Sequence, residues 1–385
     1  MKKITIILII FSFAIFNACK KKYTFLNAKV LNKIPLKNTY KAIGNFYSSG
    51  TGRKYTFAPN AIKSCFDFNN NKLFVADGHS NRILKFENNK LSLIIYTKEK
   101  QNKSFYKTPE SAPETKLKSQ PVISQYEIIS PGVIISDSAG NIYVETDKKS
   151  AKNELPFHYI LKFDNDGKFL YKIGHDGRDG LIFPENELIT SLYTDRANNL
   201  YVISKYKPEI ENKYKPYGIV IKVYNKNGKF LFKIRSHMLL NNIEKEKDEV
   251  IILENLVPAP VFNSFLFSVA FYKKNTKDTN LPPKLDRKEL YKIDYVSNKI
   301  EKVMEFPEKE LSLLAATNTG KIYLNTAKGK NLDIIILNSN GKVLKRNRVK
   351  FFSGQAEFLT YSITPAGKII GVFFDGLNLN FIGWL

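Results

Sequence analysis

Five times along this chain a run of strand-forming residues follows a polar turn and a second such run answers it across a polar loop, and a sixth, partial copy comes last. Leu73-Phe-Val-Ala-Asp77 is followed by Asn81-Arg-Ile-Leu-Lys-Phe86. Gly140-Asn-Ile-Tyr-Val144 is followed by Tyr159-Ile-Leu-Lys-Phe163, and Asn199-Leu-Tyr-Val-Ile203 by Gly218-Ile-Val-Ile-Lys-Val-Tyr224. Fainter copies begin at Phe265, Gly320 and Gly367. A third run often comes next across a tight turn: Asn165-Asp-Gly167 leads into Lys168-Phe-Leu-Tyr-Lys-Ile173, and Lys226-Asn-Gly228 into Lys229-Phe-Leu-Phe-Lys-Ile234. Asp-Gly and Asn-Gly supply the positive φ that hairpin turns need. The alternation of Lys with aromatic and aliphatic residues marks strands with one wetter face. Repetition of this kind, with no helical period to interrupt it, predicts an all-β chain built as a six-bladed β-propeller of four-stranded antiparallel blades. The units recur at 47 to 69 residues, longer than a forty-residue blade. The excess is assigned to polar insertions at 97–120, 205–215 and 272–288. The last unit runs out at Trp384-Leu385, so an N-terminal strand from within residues 23–46 is expected to close the ring and cover its sheet edges.

Composition agrees with this architecture. Of 385 residues 43% are hydrophobic, with 28 Phe and 21 Tyr, which excludes a disordered chain. There are two Cys, at 19 and 65. If Cys19 is modified no intramolecular disulfide remains, and packing must hold the fold. The formal net charge is +24, yet only 8 of the 60 basic residues are Arg, and the Lys are scattered through every segment. Phosphate and base-edge recognition lean on the Arg fork, so nucleic acid is not an expected partner. The charge is read as a solvated basic surface with weak attraction to anionic headgroups.

The first residues point to a location. Lys2 and Lys3 precede an apolar run over 4–16, about 13 residues, where roughly 20 are needed to span a bilayer. Ala18 then stands before Cys19. Phe16-Asn17-Ala18-Cys19 resembles a bacterial lipoprotein lipobox, with Phe16 where Leu is usual and Asn17 where a small residue is usual. That resemblance implies cleavage before Cys19, lipid on its thiol, and a place in the cell envelope, at the outer membrane. The expected organisation is therefore a signal peptide at 1–18, an anchor, tether and ring-closing strand at 19–46, and the propeller at 47–385.

A second resemblance concerns the repeats. Phe57-Ala-Pro59, Ile62, Asp67, Asn71, Leu73-Phe-Val-Ala-Asp77 and Asn81-Arg82-Ile83 look like one NHL repeat. Pro131-Gly-Val133, Asp137 and Gly140-Asn-Ile-Tyr-Val144 are similar to another. Gly174, Gly177, Gly180, Phe183-Pro184, Ile189, Asp195 and Asn199-Leu-Tyr-Val202 make a third. The similarity covers about 57–235 and is faint beyond 250. It implies a six-bladed propeller, a scaffold that serves binding modules, lyases and lactonase-like enzymes alike. Read physically, the Asp and Asn residues satisfy turn donors and the Gly permits close approach.

No nucleophile elbow, zinc helix or phosphate loop occurs. Asp164-Asn-Asp166-Gly167 opens like a calcium loop but lacks the closing Glu, and is read as a hairpin turn. Asp77 and His79 lie between two strands of the first blade, where they can face one end of the channel. His175, Asp176 and Asp179, in a Gly-rich connector, form the densest polar cluster. These five are the candidate ligand or ion contacts, and no cofactor or metal is assigned. The leading expectation is a membrane-tethered module that binds a protein or polymer. The alternative is a metal-dependent hydrolase or lyase with carboxylates or His converging on the axis. Substituting Cys19→Ala is expected to release the body into the soluble fraction or leave the precursor uncleaved, as cell fractionation and intact mass will show.

Overall fold

A five-residue turn recurs through the chain and sets its hairpins. Asp137, Asp164, Asp195, Asn225 and Asn338 each open one. In every case the backbone carbonyl accepts the N–H three residues on, at 2.8–3.1 Å. The side-chain oxygen accepts the N–H groups two and four residues on, at 2.8–3.0 Å. Thr317 and Thr364 use a hydroxyl for the fourth-residue N–H. The position before the turn's last residue has positive φ. It is Gly in six turns, with φ between 75° and 86°, and Asn198 in the seventh. This is the turn that closes an antiparallel hairpin with a bulge.

The computed structural model describes residues 24–26, 28–35, 62–67, 72–78, 81–88, 90–97, 121–147, 158–174, 183, 187–206, 218–259, 264–274, 281–328, 331–350, 357–364, 366–374 and 378–384. Two strands, β1 (Thr24–Phe25) and β2 (Ala28–Pro35), precede the blades. The first blade holds β3 (Ile62–Asp67), β4 (Lys72–Asp77), β5 (Arg82–Glu87) and β6 (Lys90–Tyr96), with β7 (Val122–Gln125) added in parallel outside β6. The second runs β8 (Ile134–Ser136), β9 (Ile142–Asp147), β10 (His158–Phe163), β11 (Phe169–Ile173). The third is β12 (Glu187–Thr194), β13 (Leu200–Tyr206), β14 (Gly218–Tyr224), β15 (Phe230–Arg235), followed by one helical turn, α1 (Ser236–Leu240). The fourth is β16 (Glu249–Ala259), β17 (Ser264–Lys273), β18 (Lys284–Asp294), β19 (Lys299–Glu305). The fifth is β20 (Ser312–Ala316), β21 (Ile322–Lys328), β22 (Asn331–Leu337), β23 (Val343–Lys350). The sixth is β24 (Glu357–Ile363), β25 (Ile369–Phe374) and β26 (Asn378–Trp384). Its fourth strand comes from the other end of the chain: β2 pairs antiparallel with β26 from Ala28 opposite Trp384 to Pro35 opposite Asn378. Just before it, β1 pairs in parallel with β23, so the N-terminal segment straps two blades. The result is a ring of six blades, a β-propeller closed by an N-terminal strand.

The core lies between blades, where neighbouring sheets meet face to face. Phe74, Leu93 and Ile95 of the first blade bury against Ile134, Ile142, Leu161 and Phe163 of the second. Equivalent apolar layers join the second to the third, the third to the fourth, the fourth to the fifth and the fifth to the sixth. Buried lysines bolt the outer rows together. Lys85 Nζ donates to Asn165 O at 2.7 Å, and Lys162 Nζ to Lys226 O at 2.9 Å, each reaching the turn of the next blade. That turn approaches so closely that a Cβ at Gly228 (φ 80°) would stand 2.6 Å from the Tyr171 ring. Trp384 is buried against Phe373, its ring centroid 5.8 Å away.

Three features depart from the sequence reading. Residues 272–288 are only in part an insertion, because β17 extends to Lys273 and β18 starts at Lys284, making ten- and eleven-residue strands. After residues 97–120 the chain returns as β7, a fifth strand whose single edge contact left no periodicity to read. The runs counted as the start of each unit are the second strands of the blades, preceded by an innermost strand. Asp195→Ala would strip acceptors from Ala197 N–H, Asn199 and the Tyr201 hydroxyl. Its cost is expected to be about 2 kcal/mol, read as a fall of several degrees in melting temperature.

Candidate functional site

Strand direction alternates within a blade, so the first-to-second and third-to-fourth turns share one end of the propeller. The second-to-third loops and the connectors between blades leave from the other. We refer to these as the turn end and the loop end. At the turn end side chains link two blades that are not neighbours. Tyr193 on β12 donates its hydroxyl to Ala316 O on β20 at 3.0 Å, reaching past the fourth blade. Arg196 Nη2 reaches Asn318 O at 3.4 Å. Burial pushes the Tyr193 hydroxyl up to about 12, so it stays a neutral donor.

Behind this bridge lies a cavity of about 370 Å³ between the inner strands of blades three, four and five. Its polar lining is Thr190, Ser191, Lys205, Asn255, Ser312 and Asn325; its apolar lining is Ile203, Ile219, Leu256, Val257, Leu313 and Leu314. The inner strands reach it through β-bulges. Pairing skips one residue at Thr190 on β12, Glu254 on β16 and Leu314 on β20. A bulge re-aims side chains, and here it breaks the in-out alternation at the same level of three blades. Thr190 Oγ1 is tied to Ile203 O at 3.1 Å. Asn325 donates its amide to the Tyr361 hydroxyl of the sixth blade. Glu254, the one carboxylate at these three bulges, instead pairs with Lys288 at 2.9 Å. Among the described residues no Asp, Glu, His or Cys lines the cavity. It therefore offers hydroxyls, amides and one exposed ammonium, Lys205, with no base beside Ser191 or Ser312 to activate a nucleophile.

Of the residues singled out in the sequence, Asp77 is buried and bound. It ends β4 opposite Arg82, whose Nε lies 3.0 Å from Asp77 Oδ2. His79, His175, Asp176, Asp179 and Cys19 lie outside the described residues. Asp164-Asn-Asp166-Gly167 is a hairpin turn, as read. Among the described residues no group of three or more His, Cys, Asp or Glu is arranged to hold a metal. The axial residues escaped sequence reading because they belong to no motif. Their one signal is a polar pair inside a strand: Thr190-Ser191 on β12 and Glu254-Asn255 on β16.

One charged cluster stands apart from the axis. His158, the first residue of β10, places Nδ1 3.1 Å from Asp147 Oδ1 and 3.3 Å from Glu145 Oε1. Glu145 Oε2 also accepts Val133 N–H at 3.1 Å. The Asp147 and Glu145 carboxylates push the His158 imidazole up from 6.5 to about 10.

No protein-family model matches the chain, and no curated protein does. Many solved structures share its general form. The Penicillium chrysogenum α-L-arabinanase complexed with arabinobiose is 9% identical, with 93% of this chain and 98% of that one covered and a TM-score of 0.44. The soluble aldose sugar dehydrogenase from Escherichia coli is 11% identical, with coverage of 94% and 99% and a TM-score of 0.43. A streptogramin B lyase is 11% identical, with coverage of 86% and 96% and a TM-score of 0.38. Likenesses this distant say nothing of activity, and the site must be argued from its own residues.

The His158 cluster gives a pH dependence of definite sign. A folded pKa raised above the unfolded one contributes stability fully present below about pH 6.5 and lost as pH rises through about 10. Melting temperature should fall across that window, and His158→Gln should be less stable at pH 6 and flatter above it.

Proposed function

We propose that this protein is a lipid-anchored binding propeller of the bacterial cell envelope, held to the outer membrane through Cys19, whose axial cavity takes a small hydroxyl-rich anion, free or as the end unit of a polymer. The observation that carries the binding reading is the lining of that cavity. Five hydroxyl and amide residues stand with a single ammonium, Lys205, and apolar side chains fill the remaining wall among the described residues. The volume is of the size that small ligands occupy. Hydroxyl and amide groups complement a polyol, and Lys205 complements one negative charge. The hydrolase or lyase alternative would need several carboxylates or His converging on the axis, and none is among the described residues that line this cavity. The lipobox-like residues at 16–19 and the NHL-like repeats support the anchor and the scaffold respectively.

Calorimetric titration of the purified protein with a panel of sugar acids and their neutral parents tests the cavity. Binding of an acid is expected, with about tenfold weaker affinity in Lys205→Ala, near 1.4 kcal/mol, and a similar loss in Asn255→Ala. Turnover of the bound compound, or affinity indifferent to both substitutions, would overturn the reading.

A further inference from the structure

The turn end carries a ring of lysines. Lys90, Lys168, Lys229, Lys299 and Lys342 stand where the fourth strand of each of the first five blades begins, and all five are exposed. The sixth blade has no counterpart because its fourth strand, β2, follows no turn. Lys299 pairs with Glu301 at 2.7 Å, and the other four make no ion pair among the described residues. Arg196, Lys226 and Lys321 add exposed cations on the same end. Asp164, Asp195 and Asp294 there each accept N–H groups of their own turns, and Asp166 and Glu301 are the exposed carboxylates closest in sequence to the ring lysines. Among the described residues the loop end is mixed in sign: Lys245, Lys247 and Lys309 stand among exposed Glu244, Glu246 and Glu310, and Lys274 and Lys284 are exposed as well.

A second observation points the same way. Because β1 runs parallel to β23, its N-terminal end faces the turn end. Cys19 precedes Thr24 by five positions, a reach of at most about 17 Å. Thr24 pairs with Asn347, itself five positions beyond Lys342, about 17 Å along a strand. Five residues are enough for Cys19 to reach the plane of the lysines, and Lys20, Lys21 and Lys22 stand in sequence between it and β1. Val296, at the tip of the fourth-blade turn and 76% exposed, offers that plane an apolar contact.

We propose that the turn end is a membrane-docking surface whose partner is an anionic phospholipid bilayer, with the lysine ring on the headgroup phosphates. The orientation rests on the lipid-anchor reading; the charge pattern does not. One acyl chain binds a bilayer marginally, and basic residues near it supply the second signal that stable attachment needs. The cavity and the loops around it then face away from the membrane.

The test uses the full chain with Cys19→Ala, so that acyl chains cannot hold it, and vesicles of phosphatidylcholine with or without phosphatidylglycerol. Cosedimentation is expected with the anionic vesicles alone, falling at least tenfold in Lys90→Glu/Lys168→Glu/Lys229→Glu/Lys342→Glu. A loop-end control of equal charge change, Lys245→Glu/Lys247→Glu/Lys274→Glu/Lys284→Glu, should keep most of the binding. Thermal melts confirm that both variants fold. Equal losses in the two variants would mean that net charge alone attracts the protein, and would overturn the surface, as would no binding at all. Binding to soluble polyphosphate in place of vesicles would overturn it too. Intact mass of the wild-type protein reports acylation separately: an unmodified Cys19 with ring-dependent binding would defeat the anchor and leave the surface standing.

Discussion

The propeller depends on a side chain accepting the N–H groups of its own turn. An Asp, Asn or Thr at the first turn position removes two or three donors that would otherwise be stranded where blades meet. The fourth turn position then takes positive φ, and a residue without a Cβ lets the turn press on the outer strand of the blade before it, as Gly228 does on Tyr171. With hairpin geometry fixed, each strand alternates its faces in register, and the inter-blade layers fill with Ile, Leu, Phe and Tyr. The lysine bolts work in the same place. Lys85 and Lys162 use their ammonium groups on turn carbonyls of the next blade, so the turn serves as both hairpin closure and blade connector.

That dependence explains how much was legible in the sequence. The turn residues are local, and they announce themselves as Asp-Gly and Asn-Gly pairs at regular intervals. The second strands, buried on both faces, read as continuous apolar runs such as Leu73-Phe-Val-Ala. The count of blades and the N-terminal closure followed from these alone. The innermost strands were hidden because a bulge interrupts their alternation in blades three to six, and the register slips that shape the cavity leave no periodic trace. The charged residues that drew attention were chosen by chemical type. Asp77 shows the weakness of that choice: its carboxylate answers Arg82 across a strand pair. The axial Thr, Ser and Asn residues are chemically plain, and only three-dimensional convergence gives them meaning.

The two ends of the ring divide the labour. At the turn end the described Asp, Asn and Thr turns are internally bonded, and Tyr193 ties the third blade to the fifth there. The loop end carries the lengths that vary from blade to blade, from the two residues between β21 and β22 to the eleven between β13 and β14. A scaffold with one fixed face and one variable face can change its ligand without disturbing its packing.

The strap made by β1 and β2 also sets an order of events. The partner of β2 is β26, and nearly the whole chain separates them. Loop closure over that length cannot nucleate folding, so blades one to five form from local hairpins and the ring waits for its last strand. Until then β26 presents an unpaired edge with Phe381, Ile382 and Trp384 on it. Under the anchor proposed above, the first residues would be held near a bilayer and β2 kept close to one point in space. The search for its partner would then run over one surface rather than through a volume, and the proposed anchor would act on the rate of closure.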